Sequence, residues 1–251
     1  MKKFNYLPLV FFVVVSLSAQ AQTPRKSNYS ISLNQDSFFG FYPTINGSLQ
    51  LNSKTDWTFY GIFWTTPSFG TGGGGGLWTE VGTGINVNTL NGALKINPQI
   101  GFTNGKLLSN GAFPMFAEGL VPSLTANLNT KRLEGQYYLG YYAAIRKGQI
   151  PSPDQSQRLI NAPSQNNFLH WWVNAGYKVS SVVSLGAHYE HLRSNPSVGN
   201  SSNVYKWAGP YVQAALPNGL TLRFTGGSNV LDRPATDGNN SFYKMTASFG
   251  F

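Results

Sequence analysis

The sequence contains no cysteine among its 251 residues, and only 11% of those residues are charged. A chain of this size that is exported without disulfides must be held by an extensive hydrogen-bonded sheet or by a large core. Soluble domains usually carry about 25% charged residues, so a soluble fold would here have a poorly solvated surface. The low charge therefore favours a chain whose outer face meets lipid.

Long apolar runs are also missing, apart from residues 7–17. Met1-Lys2-Lys3 precedes this run and small residues follow it, the order typical of a secretory signal peptide cleaved after Ala21. The run is shorter than the roughly 20 residues of a spanning helix, although an uncleaved anchor remains the alternative. We therefore predict a signal peptide over residues 1–21 and one exported domain over 22–251. Without such helices, that domain can cross a membrane only as a closed barrel.

Acidic residues are scarce as well, with 9 Asp and Glu against 18 Lys and Arg. The basic residues are scattered singly and form no stripe, so the excess does not indicate a nucleic-acid partner. Three histidines without cysteine do not predict a metal site. We expect no cofactor and no bound metal.

What the sequence does contain is period-2 alternation of polar and apolar residues. Similar runs occur at 44–51, 85–88, 94–102, 169–179 and 220–225. The clearest is the C-terminal segment, whose apolar face ends on an aromatic residue and consists of Tyr243, Met245, Ala247, Phe249 and Phe251. A strand of about ten residues with one apolar face is what a membrane barrel requires.

The connections between these runs alternate in length. Short turns are predicted at 52–55, 90–92, 129–131, 180–182 and 217–219. Longer polar connections separate them, at 67–76, 108–116, 146–167, 193–204 and 228–240. Asn91-Gly92 and Asn218-Gly219 are favoured hairpin turns because both residue types tolerate positive φ. Short periplasmic turns and long extracellular loops are typical of outer-membrane barrels.

We predict an all-β fold, an antiparallel transmembrane β-barrel of about 12 strands. The count is even only if 28–34 forms the first strand and 39–52 the second, joined by a very short outer loop at Asp36-Ser37. A soluble β-sandwich is the alternative, but it does not explain the alternating connection lengths. An even number of strands places both barrel termini on the periplasmic side.

These features resemble Gram-negative outer-membrane barrels in general, through the signal peptide, the terminal Ser248-Phe249-Gly250-Phe251 and the alternating loops. Residues 18–23 resemble export signals common in Bacteroidota. In size and strand number the chain is similar to the nucleoside-specific channel family, although it carries no diagnostic motif of that family. The resemblance implies an outer-membrane location, contact with membrane lipid and lipopolysaccharide, and assembly by the barrel-assembly machinery through the C-terminal strand.

The hairpin 168–192 contains the densest group of polar and titratable side chains. Folding it about Ser181 places Asn174 opposite His188 and Trp172 opposite Glu190. Applied to all strands, the alternation predicts a slightly cationic lumen lining of Glu80, Lys95, Glu134, Tyr138, Tyr142, His170, Trp172, Asn174, Lys178, His188, Glu190, Arg223 and Lys244. Arg146 is expected to join this lining. Its aromatic members would either stack on sugar or base rings or simply fill a narrow barrel.

We expect a passive channel or a binding protein for small polar solutes, with mild anion preference. One alternative is an outer-membrane hydrolase acting on lipid or lipopolysaccharide, using an imidazole, a hydroxyl and a carboxylate near His191 and Ser194. The opposite strand parity of those two residues weakens that alternative, and no catalytic residue is assigned. A structural barrel without an open pore is the other alternative. The five glycines at 72–76 lack the residues of a phosphate loop and indicate a flexible outer loop.

Overall fold

A computed structural model describes residues 26–64, 78–153, 158–231 and 240–251. The predicted signal peptide and the glycines at 72–76 lie outside these residues. The described strands are β1 (Ser27–Asp36), β2 (Gly40–Gln50), β3 (Thr55–Trp64), β4 (Trp78–Thr89), β5 (Leu94–Gly105), β6 (Met115–Asn129), β7 (Leu133–Ala144), β8 (Gln149–Pro151), β9 (Leu159–Asn161), β10 (Phe168–Lys178), β11 (Val183–Ser194), β12 (Ser202–Ala215), β13 (Leu220–Asn229) and β14 (Ser241–Gly250).

Twelve of these strands form one closed antiparallel barrel, in which β1 pairs with both β2 and β14. Strands β8 and β9 form a separate small hairpin within the connection between β7 and β10. Closure leaves no strand edge unpaired, which a sheet surrounded by hydrocarbon requires. The predicted fold and strand number are confirmed.

The first hairpin is real and turns over only three residues, 37–39. The Asp36 carboxylate makes this possible, because its Oδ1 accepts hydrogen bonds from the backbone N–H groups of Phe38 at 2.9 Å and Phe39 at 2.6 Å. Gly40 then adopts a φ of 69°, a left-handed conformation that favours glycine.

The five predicted short turns all lie at one end of the barrel, here called the turn end, and the longer connections lie at the loop end. At the turn Leu90–Gly92, Asn91 has a φ of 54° and Gly92 a φ of 84°. Gly219 has a φ of 85° in the β12–β13 turn. Both residues of Asn91-Gly92 thus use the positive φ for which they were predicted, whereas at Asn218-Gly219 only the glycine does.

The outer face of the sheet is apolar, because alternate residues on neighbouring strands are exposed hydrophobic side chains. Examples from six strands are Ile31, Ile45, Trp57, Ile85, Leu222 and Phe249. A water-soluble protein rarely exposes so continuous an apolar surface, whereas a membrane barrel needs it.

Among the described residues, no helix is long and apolar enough to cross a membrane.

The packed core of the molecule lies inside the barrel. Two clusters of buried apolar residues occupy the interior near the loop end, one around Trp64, Trp78 and Val121 and the other around Tyr205 and Trp207. Both consist largely of inward-facing strand residues, so the barrel interior is filled there by side chains.

Candidate functional site

The strand register brings the predicted lining together on the inner face. Asn174 pairs with His188, and Trp172 pairs with Glu190, as the predicted fold of the hairpin requires. Pairing across the other strands places the whole predicted set on this same face: Glu80, Lys95, Glu134, Tyr138, Tyr142, His170, Trp172, Asn174, Lys178, His188, Glu190, Arg223 and Lys244.

Arg146 is the exception, and its predicted place in the lumen is wrong. It follows the end of β7, is exposed, and its Nη1 donates a hydrogen bond of 2.7 Å to the backbone carbonyl of Phe116. Alternation cannot be extended past the last residue of a strand, because the pleat that produces it ends there.

The inner wall has two parts, which we name by their ends of the barrel. The loop half contains buried inner-face residues and comprises Trp64, Trp78, Glu80, Thr103, Val121, Glu190, Leu192, Tyr205, Trp207 and Phe242. The turn half contains many polar inner-face residues that are exposed or half-buried, although Asn86 and Ser184 in this half are buried; the accessible ones include Asn46, Gln50, Lys95, Asn127, Glu134, Gln136, Lys178 and Ser248. The lining is therefore not uniform along the barrel axis.

Glu190 is the centre of the loop half and is fully buried. Its Oε1 lies 2.8 Å from Nε2 of His170 and accepts a hydrogen bond of 2.7 Å from the Tyr205 hydroxyl. Its Oε2 lies 3.1 Å from Nε2 of His188 and pairs with the ammonium of Lys244. A buried carboxylate is tolerated only when it is paired and hydrogen-bonded in this way.

Stacked aromatic rings fill much of the same half of the interior. The rings of Trp64 and Trp78 stack with their centroids 3.9 Å apart, and Tyr205 stacks on Trp207 at 4.0 Å. Trp207 also stacks on Phe242 at 4.8 Å with an interplanar angle of 3°. Because these rings contact one another, they leave no exposed faces for a solute in this arrangement.

The aromatic residues of the predicted lining also contact one another. The hydroxyls of Tyr138 and Tyr142 lie 3.1 Å apart, and Tyr138 stacks on Trp172 at 5.9 Å. Next to them, the Tyr60 hydroxyl donates a hydrogen bond of 2.6 Å to Oε1 of the buried Glu80. The arrangement favours the filling of a narrow barrel over the stacking of ligand rings.

The connection between β5 and β6 enters the loop half, which the sequence did not predict. Leu108 and Ser109 are fully buried. Oε2 of Glu118 accepts hydrogen bonds from the backbone N–H groups of Leu108 at 3.0 Å and Ser109 at 2.9 Å, and from the Ser109 hydroxyl at 2.8 Å. One carboxylate thereby anchors the infolded segment to the start of β6.

The turn half is organised around a second carboxylate, Glu134. It accepts hydrogen bonds from the Tyr211 hydroxyl at 2.8 Å, from Nε2 of Gln213 at 2.7 Å and from the Ser184 hydroxyl at 3.0 Å. The Arg223 guanidinium lies 3.9 Å from it and also donates to Gln213. This network is more exposed than that of Glu190, with 11% of the Glu134 side chain accessible against 0% for Glu190.

The remaining predicted side chains lie close to the turn end. Lys178 donates to Oδ1 of Asn129 at 2.5 Å and to the carbonyl of Thr130 at 2.8 Å. Lys95 is exposed on the inner face.

The two residues weighed for hydrolysis do not converge. His191 lies on the outer face, with Nε2 at 2.9 Å from Oδ1 of Asn203, whereas Ser194 pairs with Phe168 on the inner face. Within the ranges that the structure describes, no group of three or more His, Cys, Asp and Glu side chains is placed to hold a metal ion.

The fold is similar to that of a solved outer-membrane channel. The COG4313 outer membrane channel from Pseudomonas putida F1 is 10% identical, with a TM-score of 0.50 over 92% of this chain and 97% of that chain. The NanC porin is 13% identical, with a TM-score of 0.49 over 88% of this chain and 98% of that chain. No curated protein matches the chain in sequence.

The closed barrel of twelve strands and its apolar outer face identify an outer-membrane β-barrel protein, and the fold of the Pseudomonas channel is similar. The family model that matches covers residues 1–251 and is described as a family of unknown function. The chain belongs to that family, DUF6733.

Proposed function

We propose that the protein is an outer-membrane channel for small polar solutes, closed at the loop half in the arrangement described here. The observation that carries this proposal is the polar wall of the turn half, where inner-face amides, hydroxyls and amines are exposed or half-buried inside a closed barrel. A barrel that served only as an anchor would have no need for a hydrated interior.

The charges of this wall support a mild preference for anions. Lys95 is exposed, and Lys178 is bound by the neutral oxygens of Asn129 and Thr130, so neither cation is neutralised by a carboxylate in these contacts. Glu134, by contrast, is surrounded by four donors, including Arg223. Rings of uncompensated cationic side chains favour anions in a pore.

The infolded segment at Leu108 and Ser109 is the element that closes the loop half in this proposal. Its two backbone donors and one hydroxyl depend on a single acceptor, the Glu118 carboxylate. Removal of that acceptor leaves buried donors without a partner, at a cost of about 1–3 kcal/mol each. A channel should therefore open more often when Glu118 is replaced.

The test is conductance in planar bilayers. We expect discrete but rare steps for the native protein and a clear rise in open probability for Glu118→Ala. Asp56→Asn is the matched control, since Asp56 is an inner-face carboxylate near the turn end that accepts from Asn86 and Asn88. If neither native protein nor Glu118→Ala conducts although both are folded, the channel proposal is wrong. Release of fatty acid from the vesicles, lost in His188→Ala or His191→Ala, would indicate a hydrolase instead.

A further inference from the structure

The apolar outer wall of the barrel carries a groove. It lies across β7 and β10, has a volume of about 600 Å³, and is lined mainly by outward-facing apolar residues. The groove is shallow and open to the surroundings.

The groove results from a row of small residues between two rows of large ones. Gly135 and Ala175 pair with each other and form the floor. Leu133 and Tyr177, also a pair, form the wall nearer the turn end.

Tyr137 and Val173 pair in turn and form the opposite wall. Because successive outward positions on a strand are two residues apart, the three pairs form three adjacent rows. The depression is therefore encoded by which residues are small, and it crosses the strands instead of following them.

The turn that adjoins the groove in sequence is cationic. The turn between β6 and β7 contains Lys131 and Arg132, both exposed, and leads directly into the groove residue Leu133. The short turns at this end contain one further cation, Lys54, and no Asp or Glu. An apolar cleft beneath an exposed cationic pair is complementary to a molecule with an anionic head and an acyl tail.

We propose that this groove binds one anionic phospholipid of the periplasmic leaflet, with an acyl chain on the floor of Gly135 and Ala175 and the phosphate at Lys131 and Arg132. The turn end faces the periplasm in barrels of this type, which places this cationic turn at the level of lipid head groups. Basic residues near such a surface attract anionic lipids by about 1 kcal/mol each. This proposal does not depend on the channel function.

Native mass spectrometry of the delipidated protein in non-ionic detergent, titrated with dioleoyl phosphatidylglycerol or dioleoyl phosphatidylcholine, tests it. We expect one phosphatidylglycerol to bind in preference to phosphatidylcholine. The double variant K131E/R132E should weaken that first binding event by about tenfold or more, since two attractive charges are reversed. The double variant K26E/K54E carries the same change in net charge elsewhere at the turn end and should retain the binding.

Filling the groove tests the acyl-chain part. Ala175→Leu should displace the first phosphatidylglycerol, whereas Ala247→Leu, at an outward position on β14, should not. Should Ala175→Leu fail to fold, the K131E/R132E comparison still decides the head-group part. Equal binding by all variants would show only non-specific lipid contact and overturn the proposal. A dimer that forms without lipid and is lost in Ala175→Leu would overturn it too, because the groove would then hold a second copy.

Discussion

The two halves of the barrel interior use the same kinds of residue in opposite ways. In the loop half, Glu190 is fully buried among aromatic rings and is bound by Lys244 and two histidines. In the turn half, Glu134 accepts from neutral donors and remains partly accessible. The Glu190 carboxylate is closed off from water although 18% of the Lys244 side chain is accessible, whereas both partners of the Glu134–Arg223 pair are partly accessible.

The comparison indicates where specificity and closure reside. The loop half resembles a protein core placed inside a barrel, so its side chains hold one another in fixed positions. The turn half presents accessible polar groups on its inner wall. In the channel that we propose, closure therefore belongs to the loop half and charge selection to the turn half.

The largest difference in stability between the two halves should appear when Glu190 and Glu134 are neutralised one at a time. Glu190→Gln leaves the half-buried Lys244 ammonium without its charge partner and should lower the free energy of unfolding by up to about 3–5 kcal/mol. Glu134→Gln should cost only about 1 kcal/mol, because Arg223 keeps its hydrogen bonds to Gln213 and Gln136. Urea unfolding in lipid vesicles measures both.

A double variant sharpens that test. Lys244→Met in the Glu190→Gln background removes the unpaired ammonium and should restore part of the lost free energy of unfolding. Equal losses for Glu190→Gln and Glu134→Gln would break the distinction between the halves.

Substitution of glycines should have an effect on the free energy of unfolding that is smaller than that of Glu190→Gln. A Cβ at Gly101 would lie 2.2 Å from the Tyr60 hydroxyl and 3.2 Å from Oε1 of Glu80. Gly101→Val should therefore displace Tyr60 and cost about 1–3 kcal/mol in unfolding free energy, as overpacking does. Gly250→Ala at the turn end has open space around it and should be nearly neutral. A neutral Gly101→Val would show that the interior around Glu80 is loosely packed.

The smallest effect on stability, but a measurable one on transport, is expected for Lys178→Glu. This change reverses a cation of the turn half and should shift the permeability ratio towards cations by about fivefold or more, since a unit charge in water contributes about 1 kcal/mol at roughly 4 Å and the reversal changes two unit charges. Reversal potentials under a salt gradient measure this ratio. If neither Lys178→Glu nor Lys95→Glu changes the permeability ratio, ions do not pass this wall.

The strands and the lining were predictable because lipid outside and polar groups inside force a strict alternation along each strand. The hairpin from Phe168 to Leu192 was predicted in register, since its short turn leaves only one pairing that keeps the apolar side chains outside.

The packing of the loop half was not predictable in the same way. Phe38 meets Tyr205 with ring centroids 5.1 Å apart, although the two residues are far apart in the sequence. The burial of Leu108 depends on Glu118 across a loop, and loop length alone does not determine such a path. The alternation of polar and apolar residues along one strand does not predict these contacts, because they join side chains from different elements of the chain.

Because the protein has no cysteine, single-cysteine accessibility in lipid vesicles tests the central claim most directly. Asn127→Cys lies on the exposed inner wall of the turn half, and Thr103→Cys lies on the buried inner wall of the loop half. With the turn end open to the reagent, a charged methanethiosulfonate should label Asn127→Cys rapidly and Thr103→Cys hardly at all, with Ala247→Cys on the lipid-facing wall as an unlabelled control. Equal rapid labelling of Asn127→Cys and Thr103→Cys would contradict the account.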